Sequence, residues 1–153
     1  MALDSNGNIY VADRENRRLQ KFDSQGNYVS PFPVAVISIG SIVANGTLYI
    51  AGENGTNSVT GAGVSLLEYD ESGNFITGFG GGGIVAFQSI TVDPAGNEYV
   101  VENTHGDVQK FSPSGTLINN NFGGSSGAAI ATDGNYLYLS ACAGQRGLTV
   151  GQV

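Results

Sequence analysis

Four segments of this chain align on a tyrosine: NIYVAD at Tyr10, TLYIAG at Tyr49, NEYVVE at Tyr99 and YLYLSA at Tyr138, spaced 39, 50 and 39 residues apart. A period near forty marks a recurring supersecondary unit, and a chain built that way must stack its units to bury their apolar faces. Twelve residues beyond Tyr10 comes LQKFDSQGN with Phe22, and twelve beyond Tyr99 comes VQKFSPSGT with Phe111. In the second unit the step from Tyr49 to Tyr69, in LLEYDESGN, is twenty, an insertion of eight. The approximate repeats are 1–36, 37–86, 87–126 and a truncated 127–153, all within one domain.

Each unit reads as four strands. The first is short and apolar, the second carries the tyrosine, the third carries LQKF or its match, and the fourth follows a second glycine turn. The second strand is apolar throughout (Ile9 to Ala12, Leu48 to Ala51), so both its faces need cover. The third alternates, with Leu19 and Lys21 on one side and Gln20 and Phe22 on the other. No window shows helical periodicity, only 12% of residues are charged, and 24 are glycine, a mix suited to many tight turns. The fold class expected is all-β: β-propeller blades of four antiparallel strands in an incomplete or open ring.

The turns share the form Asp-x-x-Gly-Asn, as at Asp4 and Asp23. In such a turn the Asp carboxylate bonds its own backbone two residues on and the glycine takes the left-handed position, here Gly7, Gly26, Gly73, Gly96 and Gly115. Alternating oxygens at Asp4, Asn6 and Asn8 also resemble a calcium loop. The later acidic ligand is missing, and in the matching turns DPAGN, DESGN and SPSGT the glycine stays while the middle oxygens come and go, so turn chemistry is the reading preferred and no metal site is expected.

The first unit, ALDSNGNIYVADRENRRLQKFDSQGNYV, resembles an NHL repeat, with Asp4, Gly7, Asn8, Tyr10, Asp13, Asn16, Arg18, Phe22, Asp23 and Gly26 in register. The third unit follows the same frame but has Glu102 in place of the Asp and Asp107 in place of the Arg. Units two and four match around the tyrosine and the turns. The resemblance implies a propeller, with Asp13 and Arg18 as a structural ion pair joining the second strand to the third. Relatives include a peptide-amidating lyase whose zinc is held by several histidines, and similar-looking propellers act as lactonases or lyases with carboxylate- or His-bound metals. This chain has one histidine, His105, beside Glu102 and Asp107, which is not a ligand set, and no Gly-x-Ser-x-Gly frame nominates a nucleophile. No catalytic residue and no cofactor are assigned.

The net charge of −7 argues against nucleic acid, including RNA at the basic cluster Arg14, Arg17, Arg18 and Lys21. No apolar run is long enough for a membrane span, so direct membrane insertion is not expected. Cys142 stands alone and is read as a packed thiol. Sequons at Asn45 and Asn54, with little lysine and abundant Asn, Gly and Ser, lean towards an extracellular or periplasmic setting.

In a propeller the tight Asp-x-x-Gly turns crowd one face, while the loops joining second to third strands, and one blade to the next, crowd the other. Binding is expected on that second face, at Arg14, Asn16, Arg17, Asn54, Asn57, Glu102, Asn103, His105 and Asp107. Its Asn, Ser, Thr and Gly suit a polar protein, peptide or glycan. The function expected is a non-catalytic binding or scaffold module. The alternatives are a fragment of a metal-dependent propeller lyase or lactonase whose other ligands lie in further blades, and a surface or sensor domain. About 3.6 units do not close a ring readily, so the chain is expected to be a fragment of a larger propeller or half of a homodimeric ring.

Overall fold

The computed structural model describes residues 1–34, 38–56, 63–80, 87–102, 107–120, 127–141 and 149–152. Among these residues there is no helix; they form four antiparallel sheets, one per sequence unit. Blade 1 contains β1 (Ala2–Leu3), β2 (Ile9–Asp13), β3 (Arg18–Phe22) and β4 (Tyr28–Pro33). Blade 2 contains β5 (Ser38–Ala44), β6 (Leu48–Thr56), β7 (Gly63–Tyr69) and β8 (Phe75–Phe79). Blade 3 contains β9 (Phe87–Val92), β10 (Glu98–Glu102), β11 (Val108–Phe111) and β12 (Leu117–Asn119). Blade 4 contains β13 (Gly127–Thr132), β14 (Tyr136–Ala141) and β15 (Thr149–Gln152). Within each blade, strands pair with their neighbours in sequence, so every connection is a hairpin.

The insertion of unit two, expected in the loop that joins its second strand to its third, partly continues the ladder. Past a register shift between Ala51 and Gly55, β6 and β7 pair again at Gly55 with Val64 and Thr56 with Gly63. Asn54 therefore lies in a strand. A hairpin can absorb an even, polar insertion by lengthening, because each added pair satisfies its own backbone groups.

The blades stack in chain order through three apolar interfaces. Tyr10 and Leu19 of blade 1 meet Leu48, Ile50, Leu67 and Tyr69 of blade 2. The opposite face of blade 2, with Ala51 and Leu66, meets Phe87, Ile90, Val100 and Phe111 of blade 3. Tyr99, Val101 and Val108 on the far side of blade 3 meet Ile130, Leu137 and Leu139 of blade 4. Burying a side chain of this size is worth about 1.5–3 kcal/mol, so these sandwiched faces hold the array together. Polar links cross them as well: Lys21 Nζ donates to the Glu71 carbonyl (2.9 Å), and the Ile130 amide donates to Ser89 Oγ (3.1 Å).

The second strand is covered on both faces in the middle of the stack, where all of β10 is buried. In blade 1 only Tyr10 of β2 is buried, since Ile9 and Val11 point away from blade 2. Leu3 lies on the same outward face and is 58% exposed, and at the other end of the stack Tyr138 is 36% exposed. The array is an open run of blades. The outer edge strand of blade 1, β4, carries Pro31 and Pro33, which cannot donate to a further strand.

Candidate functional site

At one end of the blades, the tight turns form a repeated network around each Asp. Asp4 Oδ1 accepts the amides of Asn6 and Asn8 (both 2.9 Å), while Oδ2 accepts Asn8 Nδ2 (2.8 Å) and the Tyr10 hydroxyl (3.1 Å). Asp93 repeats it with Ala95, Asn97 and Tyr99. Asp23 and Asp70 make the backbone and Asn bonds of the outer turns, and Ser112 Oγ accepts the Thr116 amide in the same place. Gly7, Gly26, Gly73, Gly96 and Gly115 all have positive φ, as such turns require. With both oxygens engaged inside the turn, these carboxylates are turn-formers. Burial pushes Asp4 and Asp93 up, but the Asn and Tyr hydrogen bonds outweigh it and hold both below the usual carboxylate range.

The Tyr-to-Asp bond accounts for the recurring tyrosine in blades 1, 3 and 4, whereas in blade 2 Tyr49 follows an Asn45-Gly46-Thr47 turn that has no Asp. The signal of this bond in sequence is the constant offset from Asp4 to Tyr10 and from Asp93 to Tyr99. Blade 4 shortens it, with Tyr138 donating to Asp133 Oδ2 at 2.7 Å.

At the opposite end, the loop over residues 14–17 is the best described. Its residues Arg14, Asn16 and Arg17 are exposed. Asp13, at the end of β2, pins the loop: Oδ2 accepts Arg18 Nε (2.7 Å) and Gln20 Nε2 (2.8 Å), and Oδ1 accepts Asn16 Nδ2 (2.8 Å). Arg18 first, then Asn16 and Gln20, hold the Asp13 carboxyl down to about 2. The expected Asp13–Arg18 ion pair is therefore present, extended by Gln20. Arg17 has φ of 51°, a left-handed conformation rare for a side chain of this size, and its carbonyl accepts the Val34 amide (3.0 Å).

In blade 3, Glu102 is buried at the end of β10, and its amide donates to the Asp107 carbonyl (2.9 Å), closing the base of that loop. Asn57, Asn103, His105 and Cys142 lie outside the described residues, as do the glycine stretches at 81–83 and 123–126 and the side chain of Asn54. Among the described residues no three His, Cys, Asp or Glu side chains gather as a metal group.

Two acidic residues that sequence reasoning passed over face each other between blades 2 and 3. Glu68 on β7 and Glu98 on β10 are buried within hydrogen-bonding reach of one another. As two carboxylates neither can donate, and Glu68 Oε1 and both Glu98 oxygens then have no hydrogen-bond partner. Desolvation, with the Glu68 charge, pushes Glu98 up to about 9, and desolvation also raises Glu68. Tyr49 beside them is raised by burial and by both glutamates.

The family model described as NHL repeat matches residues 1–22, which span β1 to β3. Solved structures with the same architecture include a protein of unknown function from Bacteroides caccae, 16% identical, with a TM-score of 0.61 over 92% of this chain and 51% of that one. An auxiliary nutrient binding protein from Bacteroides ovatus is 15% identical, with a TM-score of 0.63 over 90% of this chain and 34% of that one. A streptogramin B lyase is 11% identical, with a TM-score of 0.61 over 99% of this chain and 53% of that one. The present chain thus spans between 34% and 53% of the length of these structures. No curated protein matches it by sequence. At such identities the likeness concerns the fold. The first three strands of blade 1 thus match the NHL-repeat model, and the chain folds as an open array of β-propeller blades.

Proposed function

We propose that the chain is a non-catalytic binding module, presenting the longer-loop end of its blades to a protein, peptide or glycan partner. The observation that carries this reading is the loop over residues 14–17, which holds Arg14, Asn16 and Arg17 in solvent while Asp13 fixes its base through three side chains. A pre-ordered loop loses less conformational entropy on binding than a free one, and two guanidinium groups beside an amide suit carboxylate- or hydroxyl-bearing ligands. The auxiliary nutrient binding protein from Bacteroides ovatus supports the reading by showing that a chain of similar architecture is described as a binder.

The test is to probe the labelled chain against immobilised glycan and peptide libraries. Saturable binding is expected, weakened at least about tenfold (~1.4 kcal/mol) in the Arg14→Ala/Arg17→Ala variant. Binding that this variant leaves unchanged would remove the loop from the site. A ligand consumed on incubation with the chain and a divalent metal would replace the reading with a metal-dependent lyase or lactonase.

A further inference from the structure

Blades 1 and 3 present the same pair of side chains to the blade that follows. Lys21 sits over the Tyr10 ring, 5.2 Å from its centre, and Lys110 sits over the Tyr99 ring at 4.9 Å. Across each interface, one position before the next blade's tyrosine, stands a leucine: Leu48 for blade 1 and Leu137 for blade 3. At the interface between blades 2 and 3 both positions differ. Glu68 pairs with Tyr49 where blades 1 and 3 have lysine, and Glu98 stands where blades 2 and 4 have leucine.

The two exchanges lie on opposite sides of one interface and meet. Glu98 is 0% exposed and Glu68 is 8% exposed. Two ionised carboxylates in a dry contact repel each other and lose their hydration, and neither offers the other a donor. One proton turns the contact into a hydrogen bond and removes one of the charges.

We propose that Glu68 and Glu98 share one proton across this interface and form a latch between blades 2 and 3, closed while the proton is held and weakened when it is lost. The surroundings offer no competing charge among the described groups that face the pair. β8 places Thr77 beside Glu68, while β9 and β11 place Val92 and Phe111 beside Glu98. β6 contributes Tyr49, whose hydroxyl is itself kept neutral by burial and by the two glutamates. Lys110 lies over Tyr99 on the opposite face of blade 3.

The sign follows from linkage. Glu98 is raised from 4.5 to about 9 in the folded chain. The latch is therefore complete below the unfolded value and is lost as pH rises from there through the folded value. Inside that window the folded chain holds a proton the unfolded chain has released, so the folding constant falls by about tenfold per pH unit.

The experiment is denaturant unfolding of the whole 153-residue chain in EDTA across that window, beside Glu98→Gln and the double variant Glu68→Lys/Glu98→Leu, which installs the side chains of the two flanking interfaces. The wild type is expected to lose stability with pH more steeply than either variant, by one proton's slope, between about pH 6 and pH 8. In parallel, the carboxyl carbon resonances of the wild-type glutamates are followed with pH. A resonance titrating well above the ordinary glutamate range supports the latch. Parallel stability curves, or glutamates that all titrate in the ordinary range, overturn it. Stabilisation of the wild type by calcium chloride in mildly alkaline buffer without EDTA, absent in Glu98→Gln, would also overturn it, making the pair a cation site instead.

Discussion

Gly26 and Gly115 occupy the same position of the same turn, with φ of 84° and 77°, yet their surroundings differ. A Cβ on Gly26 would meet nothing within 4 Å, whereas one on Gly115 would fall 2.5 Å from Cδ1 of Phe79, a ring that packs on Phe111 at 5.5 Å between centres. Replacing either glycine by alanine imposes left-handed strain of about 1–2 kcal/mol. Gly115→Ala must also displace an aromatic ring from the interface of blades 2 and 3, and overpacking of this kind costs roughly 1–3 kcal/mol more. Urea unfolding of the two variants should therefore show Gly115→Ala as the weaker fold by at least about 1 kcal/mol. Equal losses would mean that Phe79 moves aside freely. In the sequence the two glycines are interchangeable, and only a ring brought in from the preceding blade separates them.

Each hairpin carries its own instructions, and the inner and outer turns use them differently. The inner turns at Asp4 and Asp93 reach a tyrosine in the next strand, which ties the turn to a buried ring. The outer turns at Asp23 and Asp70 are followed instead by edge-to-face aromatic pairs, Phe22 with Tyr28 and Tyr69 with Phe75, both 5.6 Å between centres. Asp93 is buried and serves two amides, the Asn97 side chain and the Tyr99 hydroxyl. Asp93→Ala should lower stability by roughly 2–3 kcal/mol, since bonds to a charged acceptor are lost while their donors stay in place. Asp23→Ala, in an exposed turn with no tyrosine bond, should have a smaller effect in the same denaturant series. If the two substitutions were equivalent, the tyrosine bond would add nothing to the hairpin.

The array as a whole has opposed pH limits. Asp4 and Asp93 are held below their ordinary values, so their contribution is present above about 3.8 and is lost as pH falls through their folded values. Glu98, raised to about 9, acts in the other direction, its contribution declining as pH climbs above 4.5. Thermal unfolding followed across pH should therefore give a maximum on the mildly acid side, with a steep loss below it and a gradual one above. A flat profile up to pH 9 would contradict the alkaline limb, while leaving the turn carboxylates to account for the acid one.

The sequence by itself determined the four units through their period near forty, and the hairpin pairing and turn glycines through backbone chemistry that glycine and Asp impose locally, while the Asp13–Arg18 pair followed from the resemblance of the first unit to an NHL repeat. The loops opposite the tight turns were legible only as polar segments, since a loop's conformation depends on the scaffold that holds it; the hairpin of unit two lengthens into strand where a loop was expected. Which face of each second strand is covered was a matter of stacking, so Ile9 stays partly open while Leu48 and Glu98 at the matching position are buried. The pairing of Glu68 with Glu98 was likewise decided by tertiary structure. Each reads in sequence as an ordinary polar residue of a strand, and they become one unit only because blade 2 turns its far face onto blade 3.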